Sequence, residues 1–235
     1  MERTPFKFKQ FDIFQDKTAM KVGTDAVLLG AYVEFINPNR ILDIGTGTGL
    51  VALMMAQKFG HAKIDAVEIE TEAYNQAKEN FQISTWSDRL EVFQKDFKVF
   101  EPNYRYDLIV SNPPFYNATF KKLDEKRATA RHTQQLDFKI LLKKTSQLLA
   151  PKGSFFVIIP FYESENFVAL AKTFGLFPQK ILNVKGNQNS AFKRSILEFT
   201  FQEKEISFRS LVIEKSRNNY TDEYIQLTKD FYLKM

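Results

Sequence analysis

The chain has no cysteine, which removes disulfides, thiolate metal sites and every mechanism that needs a cysteine nucleophile. Histidine is nearly as scarce. With only His61 and His132, a histidine metal cluster lacks ligands, and no metal is expected. Long apolar runs are missing too: Phe155 to Phe161 is far short of the roughly 20 residues that cross a bilayer. The N-terminus sets Lys7 and Lys9 among phenylalanines where a signal sequence would carry an apolar core. A cytoplasmic protein without a membrane partner is therefore expected. An acidic excess is also lacking. Lys and Arg total 33 against 28 Asp and Glu, a formal net charge of +5, which suits a nucleic-acid partner without requiring one. What is plentiful is core material: 235 residues, 44% hydrophobic, with 24 Phe, enough for one large α/β domain.

Strand-like apolar runs alternate with helical patterns to about Gln202, with no internal repeat or low-complexity stretch. The run Arg40 to Ile44 leads into Asp43-Ile44-Gly45-Thr46-Gly47-Thr48-Gly49, and a helix begins near Leu50. Glycines at such a turn let the backbone approach a ligand at a helix N-terminus, where amide N–H groups point outward. A tight turn with no ligand carries the same signature. Further acids add to it. The strand Lys63 to Ile69 brings Glu68 and Glu70 to its end, about twenty residues beyond the glycines, where a carboxylate accepts hydrogen bonds from a ribose diol. A third strand, Leu90 to Gln94, is followed by Asp96. Ligands of open parallel sheets lie outside the carboxyl ends of the strands, so Asp43, Glu68, Asp96 and Asn112 are expected to edge one crevice.

After the apolar run Tyr106 to Val110 come Asn112, Pro113, Pro114 and Phe115. The exocyclic amine of adenine is a poor nucleophile because its lone pair is delocalised into the ring, and no ordinary side-chain base deprotonates it near neutral pH. Geometry has to activate it. The Asn112 side-chain oxygen and the Pro113 carbonyl can both accept from one NH₂ group and favour a pyramidal nitrogen. The prolines lock φ and bring no competing N–H donors, while Phe115 offers a stacking face. A plain turn after a strand is the alternative.

The set Asp43 to Gly49, Glu68, Asp96 and Asn112 to Phe115 resembles the class I S-adenosylmethionine-dependent methyltransferases, in the amino-methylating branch with an Asn/Asp-Pro-Pro-aromatic motif. The opening Phe6 to Gln15, the block Lys21 to Gly30 and the ending Tyr224 to Met235 are similar to the bacterial tRNA1(Val) adenine-N6 methyltransferase family, so the resemblance covers nearly the whole chain. It implies an α/β, Rossmann-like fold: a seven-stranded, mostly parallel sheet with an antiparallel edge hairpin and helices on both faces. Within a single domain, residues 1–39 would form an extension over the cofactor, 40–202 the core and 203–235 a C-terminal segment. S-adenosylmethionine would be the methyl donor, S-adenosylhomocysteine the product, and N6 of the adenosine at position 37, beside the anticodon of tRNA, the target. No obligatory protein partner is evident. The resemblance assigns cofactor contacts to Lys21, Thr24, Asp25, Asp43, Gly45, Thr46, Gly47, Gly49, Glu68, Ile69, Asp96, Phe97 and Asn112. The missing cysteine also excludes methylation of pyrimidine C5 by the covalent route.

Two basic segments are candidates for RNA contact. One holds Lys121, Lys122, Lys126, Arg127 and Arg131, with His132 beside it; the other runs from Lys185 to Arg194 and includes Phe192 and Lys193. Either could equally be a solvated loop. Further along, a helix is expected over Phe138 to Leu149, ended by Pro151-Lys152-Gly153 before a strand Ser154 to Ile159. A helix Glu163 to Phe174 then stops at Gly175, and strands near Lys180 to Val184 and Ser195 to Phe201 make the edge hairpin. Methylation of ribosomal RNA adenine, methylation of a protein glutamine amide, and cofactor or RNA binding without catalysis stay open as alternatives.

Overall fold

The computed structural model describes residues 3–18, 21–114 and 138–234. A short ribbon comes first, β1 (Phe6–Lys7) antiparallel to β2 (Asp12–Ile13), followed by α1 (Thr24–Tyr32). The alternating core follows: β3 (Arg40–Ile44), α2 (Leu50–Lys58), β4 (Lys63–Glu68), α3 (Thr71–Ile83), β5 (Leu90–Gln94) and β6 (Tyr106–Ser111). Beyond residue 137 come α4 (Phe138–Leu148), β7 (Leu149–Pro160), α5 (Ser164–Lys172), β8 (Phe177–Asn187), β9 (Arg194–Thr200), β10 (Ser207–Ser216), β11 (Asn219–Tyr220) and α6 (Asp222–Thr228). The main sheet runs β11-β10-β8-β9-β7-β6-β3-β4-β5. Strands β3 to β7 pair in parallel, and β9 is antiparallel to both neighbours.

Period-two alternation divides the core. Ile41, Leu108, Val110, Phe156 and Ile158 face one apolar layer with α1, α2 and α3, while Leu42, Ile44, Ile109, Phe155, Val157 and Ile159 face the other with α4 and α5. Strands β3, β6 and β7 are thus apolar on both sides, as the centre of a sheet covered by helices on both faces requires.

Three local expectations differ from the structure. The β8–β9 hairpin is not the sheet edge, because β10 pairs in parallel with the outer side of β8 and β11 pairs with β10, giving nine strands where seven were expected. Pairing satisfies the outer N–H and C=O groups of β8, and Leu211 is buried in the first core layer. Second, α4 passes directly into β7 at Leu149 with no break at Pro151-Lys152-Gly153. The register jumps from Tyr106↔Leu149 to Leu108↔Ser154, so residues 150–153 are taken up as a bulge. Gly153 is required there: a Cβ would stand 2.8 Å from the Asp107 carbonyl oxygen. Third, α5 is shorter than expected, although Gly175, at φ +74°, ends that turn as read from the sequence.

Candidate active site

All the expected crevice residues stand at one sheet edge, reached by parallel strands. The pair Ile44↔Ser111 ends the β3–β6 ladder, and Ser111 Oγ donates to the Ile44 carbonyl at 3.0 Å. Gly45 and Asn112 therefore follow directly from paired residues. Asn112 is half-buried, Pro113 buried and Pro114 exposed.

The glycine loop shows three separate demands. Gly45, Gly47 and Gly49 have φ of +70°, +58° and +85°, a region that strains any residue with a Cβ. A Cβ on Gly45 or Gly47 would meet nothing within 4 Å. Open space above those two positions lets a ligand reach the backbone. Gly49 differs, because a Cβ there would lie 2.5 Å from the Phe81 ring, so this glycine serves the packing of α2 on α3. Gly49→Ala should lower stability by about 1–3 kcal/mol. A fall in the thermal unfolding temperature checks this, and Gly47→Ala, with no such clash, should lose less.

Asp43 anchors the loop from beneath. Its Oδ2 accepts from Thr46 Oγ1 at 2.6 Å and from the Ala52 amide at 3.1 Å. Burial pushes this carboxyl up to about 7, the two hydrogen bonds pull it back, and the Glu68 charge raises it further. Because the folded value lies above the ordinary carboxylate value of 3.8, the native chain holds an extra proton between the two. The contribution to stability is complete below about pH 4 and is lost as pH rises through about 7. Asp43→Asn keeps an acceptor for both donors and should flatten that decline. Urea midpoints of the wild type and the variant at pH 4.5 and pH 8 test the sign.

Glu68 closes the far side. Its Oε1 accepts from the Ile69 and Glu70 amides at 2.9 and 3.0 Å, and its Oε2 from the Gly47 amide at 2.9 Å. Three backbone donors pin this carboxylate against the glycine loop. Ile69, 37% exposed, presents an apolar surface beside it. Asp96 Oδ1 accepts from the Lys98 amide at 2.9 Å, capping a short turn. The Phe97 side chain is buried in the second core layer, leaving its backbone for a ligand.

Other assigned residues are arranged differently from a simple contact list. Lys21 Nζ donates to the Gln15 carbonyl at 2.7 Å, and Thr24 opens α1. Asp25 Oδ2 accepts from Arg194 Nε at 2.6 Å, so a residue expected at the cofactor holds one expected at RNA. Phe192 packs on Phe161 at 5.3 Å, and Lys193 is exposed. Phe115, Lys121, Lys122, Lys126, Arg127, Arg131 and His132 lie outside the described residues.

The sequence reading missed Asn80. Fully buried on α3, it accepts from the Phe14 amide at 2.9 Å and donates to the carbonyls of Phe14 at 2.9 Å and Thr48 at 2.8 Å. Gln76, one turn earlier, accepts from the Lys17 amide at 3.0 Å. Asn80 thus ties the N-terminal extension to the glycine loop, and Gln76 ties it to α3. Their spacing of four, beside buried Ala77 and Phe81, is the signal: polar side chains on a helix face that packs inward. At the surface, Arg3 and Lys17 both pair with Glu79, at 2.6 and 2.9 Å, and hold its carboxyl down to about 2.

Among the described residues no group of three or more His, Cys, Asp or Glu is placed to hold a metal. No helix among them is long and apolar enough to cross a membrane.

Known structures share this architecture. A crystal structure described as "a predicted O-methyltransferase" from Agrobacterium tumefaciens superposes with a TM-score of 0.69, at 17% identity over 88% of this chain and 96% of that one. A methyltransferase from Pyrococcus furiosus gives 0.58, at 20% identity over 80% and 88%. The fold is that of the class I methyltransferases, whose donor is S-adenosylmethionine, and the open glycine loop with its pinned carboxylate fits that cofactor. Residues 17–181 match the methyltransferase small domain. A tRNA1(Val) (adenine(37)-N6)-methyltransferase of Flavobacterium johnsoniae is 53% identical over 98% of this chain and all of its own length. Proteins of the same name in Bacteroides fragilis and Vibrio campbellii are 46% and 43% identical over 100% and 98% of the chain, and over 100% and 96% of their own lengths. The chain belongs to the tRNA1(Val) (adenine(37)-N6)-methyltransferase family.

Proposed function

We propose that this chain transfers the methyl group of S-adenosylmethionine to N6 of an adenine in tRNA, the adenosine at position 37 of tRNA1(Val). The observation that carries the reading is adjacency: Asn112 and Pro113 follow β6, whose neighbour β3 carries the glycine loop, so amine acceptors and cofactor cradle share one edge. Full-length relatives bearing that name support the substrate.

Bound S-adenosylmethionine supplies an electrophilic methyl group on a sulfonium and leaves as S-adenosylhomocysteine. The residues of the chain do the orienting. Glu68 would accept from the ribose hydroxyls, Gly45 and Gly47 would let the backbone approach, and Ile69 would offer its apolar surface to the adenine of the cofactor. On the substrate side, the Asn112 oxygen and the Pro113 carbonyl hold N6 so that its lone pair faces the methyl carbon in line. The N–C bond would form as the C–S bond breaks, with inversion at carbon and no covalent enzyme intermediate, and N6 would then release its proton to water. An anticodon-loop adenosine is already unpaired, so extruding it costs less than flipping a base from a duplex.

The test is transfer of labelled methyl into total tRNA from a strain lacking this gene, followed by nucleoside mass spectrometry. N6-methyladenosine in tRNA is the expected product. Label in ribosomal RNA or in protein glutamine would overturn the substrate while leaving the amine chemistry in place.

A further inference from the structure

Next to the Asn112 edge stands a cluster of aromatic and basic side chains that methyl transfer does not use. Strand β7 neighbours β6 in parallel, with Ser111↔Val157, so Asn112 is level with Ile158. The chain continues to Pro160, which pairs with Arg194, and then enters the turn Phe161–Glu163. At about 3.3 Å per residue, that turn begins roughly 10 Å beyond the level of Asn112, one strand over. The β8–β9 turn reaches the same edge, and the Phe161 amide donates to the Lys193 carbonyl at 3.1 Å.

The side chains gathered there are unusual for a surface turn. Phe161 is 37% exposed and Tyr162 61% exposed. The Phe161 and Phe192 rings lie 5.3 Å apart, outside both core layers. Lys185 Nζ stands 5.7 Å from the centre of the Phe192 ring and donates to the Gln188 carbonyl at 2.8 Å, which holds the cation at the ring. Lys193 is exposed beside it, with Glu163 the acid of the neighbouring turn. Arg194 is already engaged by Asp25, so among the described residues Lys185 and Lys193 are the cations this rim offers.

We propose that Phe161, Tyr162 and Phe192 form a stacking platform for a nucleotide flanking the target adenosine, with Lys185 and Lys193 meeting its phosphate. Aromatic faces with interleaved cations suit single-stranded RNA, because every base has a π-face and every step a negative charge. A loop strand with one base extruded toward Asn112 presents its neighbours unpaired, and an aromatic ledge about 10 Å away is placed to receive one. This rests on the tRNA reading given above.

Two measurements test it. Phe161→Ala and Phe192→Ala should each raise KM for tRNA about tenfold, the loss expected for one stacked base, with kcat and S-adenosylmethionine affinity unchanged and Phe161→Tyr close to wild type. Trp86 is the one tryptophan of the chain, so Phe161→Trp in a Trp86→Phe background gives a reporter whose emission should be quenched on titration with tRNA. A KM within twofold of wild type in both alanine variants, or emission unchanged at saturating tRNA, overturns the platform and leaves the patch to another partner, such as protein. Failure of the wild-type chain to methylate tRNA at all would overturn the underlying reading, an outcome these variants do not imitate.

Discussion

Asn112→Ala is expected to lower kcat by about 10²–10³, the usual loss when one preorganised polar partner of a transition state is removed, with S-adenosylmethionine affinity changed less than about threefold. Two effects combine. The amine loses one of two acceptors, so its lone pair is no longer held toward the methyl carbon, and Pro113 alone leaves N6 free to turn. On the proposed reading Asn112, one residue beyond Ser111, acts chiefly on the substrate amine, and the loop that Asp43 and Glu68 brace through Thr46 and Gly47 serves the cofactor. Binding and chemistry should therefore separate. Asn112→Asp keeps the acceptor and should retain more activity than alanine. Single-turnover transfer with saturating cofactor measures this directly, and an alanine variant with near-normal kcat would remove Asn112 from the chemistry.

Glu68→Ala should weaken S-adenosylmethionine binding roughly 100-fold, which corresponds to about 2.7 kcal/mol. A hydrogen bond to a charged group contributes about 1.5–3 kcal/mol, and a ribose diol offers this carboxylate two donors. The Gly47 amide also donates to Glu68, so the variant frees the glycine loop as well. Glu68→Gln keeps one acceptor but lacks the charge and should fall between the two. Titration calorimetry gives the affinities, and unfolding temperatures show whether the loss is local. An affinity within threefold of wild type in Glu68→Ala would mean that the ribose is held elsewhere.

Residues whose position is set by local chain geometry were legible in the sequence. The glycine loop, Glu68, Asp96 and Asn112 each sit where a strand ends, and the parallel sheet brings those ends together without further instruction. Roles set by distant partners were not. Asn80 bonds to Phe14 and Thr48, 66 and 32 positions away, and Asp25 meets Arg194 across 169; no periodicity encodes such pairings. The β7 boundary was misplaced because Pro151 and Gly153 read as a break, whereas a bulge absorbs them inside one strand. β10 and β11 were missed since Leu211, Val212 and Ile213 make only a short apolar run between the polar pairs Arg209-Ser210 and Glu214-Lys215. The turn at Phe161 reads as the end of a core strand, and only its exposure marks it as a surface.

One measurement bears most directly on the central claim: methyl transfer by the wild-type chain to two tRNA1(Val) transcripts, one with adenosine at position 37 and one with guanosine there. The expected result is one methyl group per molecule of the first, recovered as N6-methyladenosine, and none in the second. Equal incorporation into both, or none into either while the cofactor still binds, would contradict it.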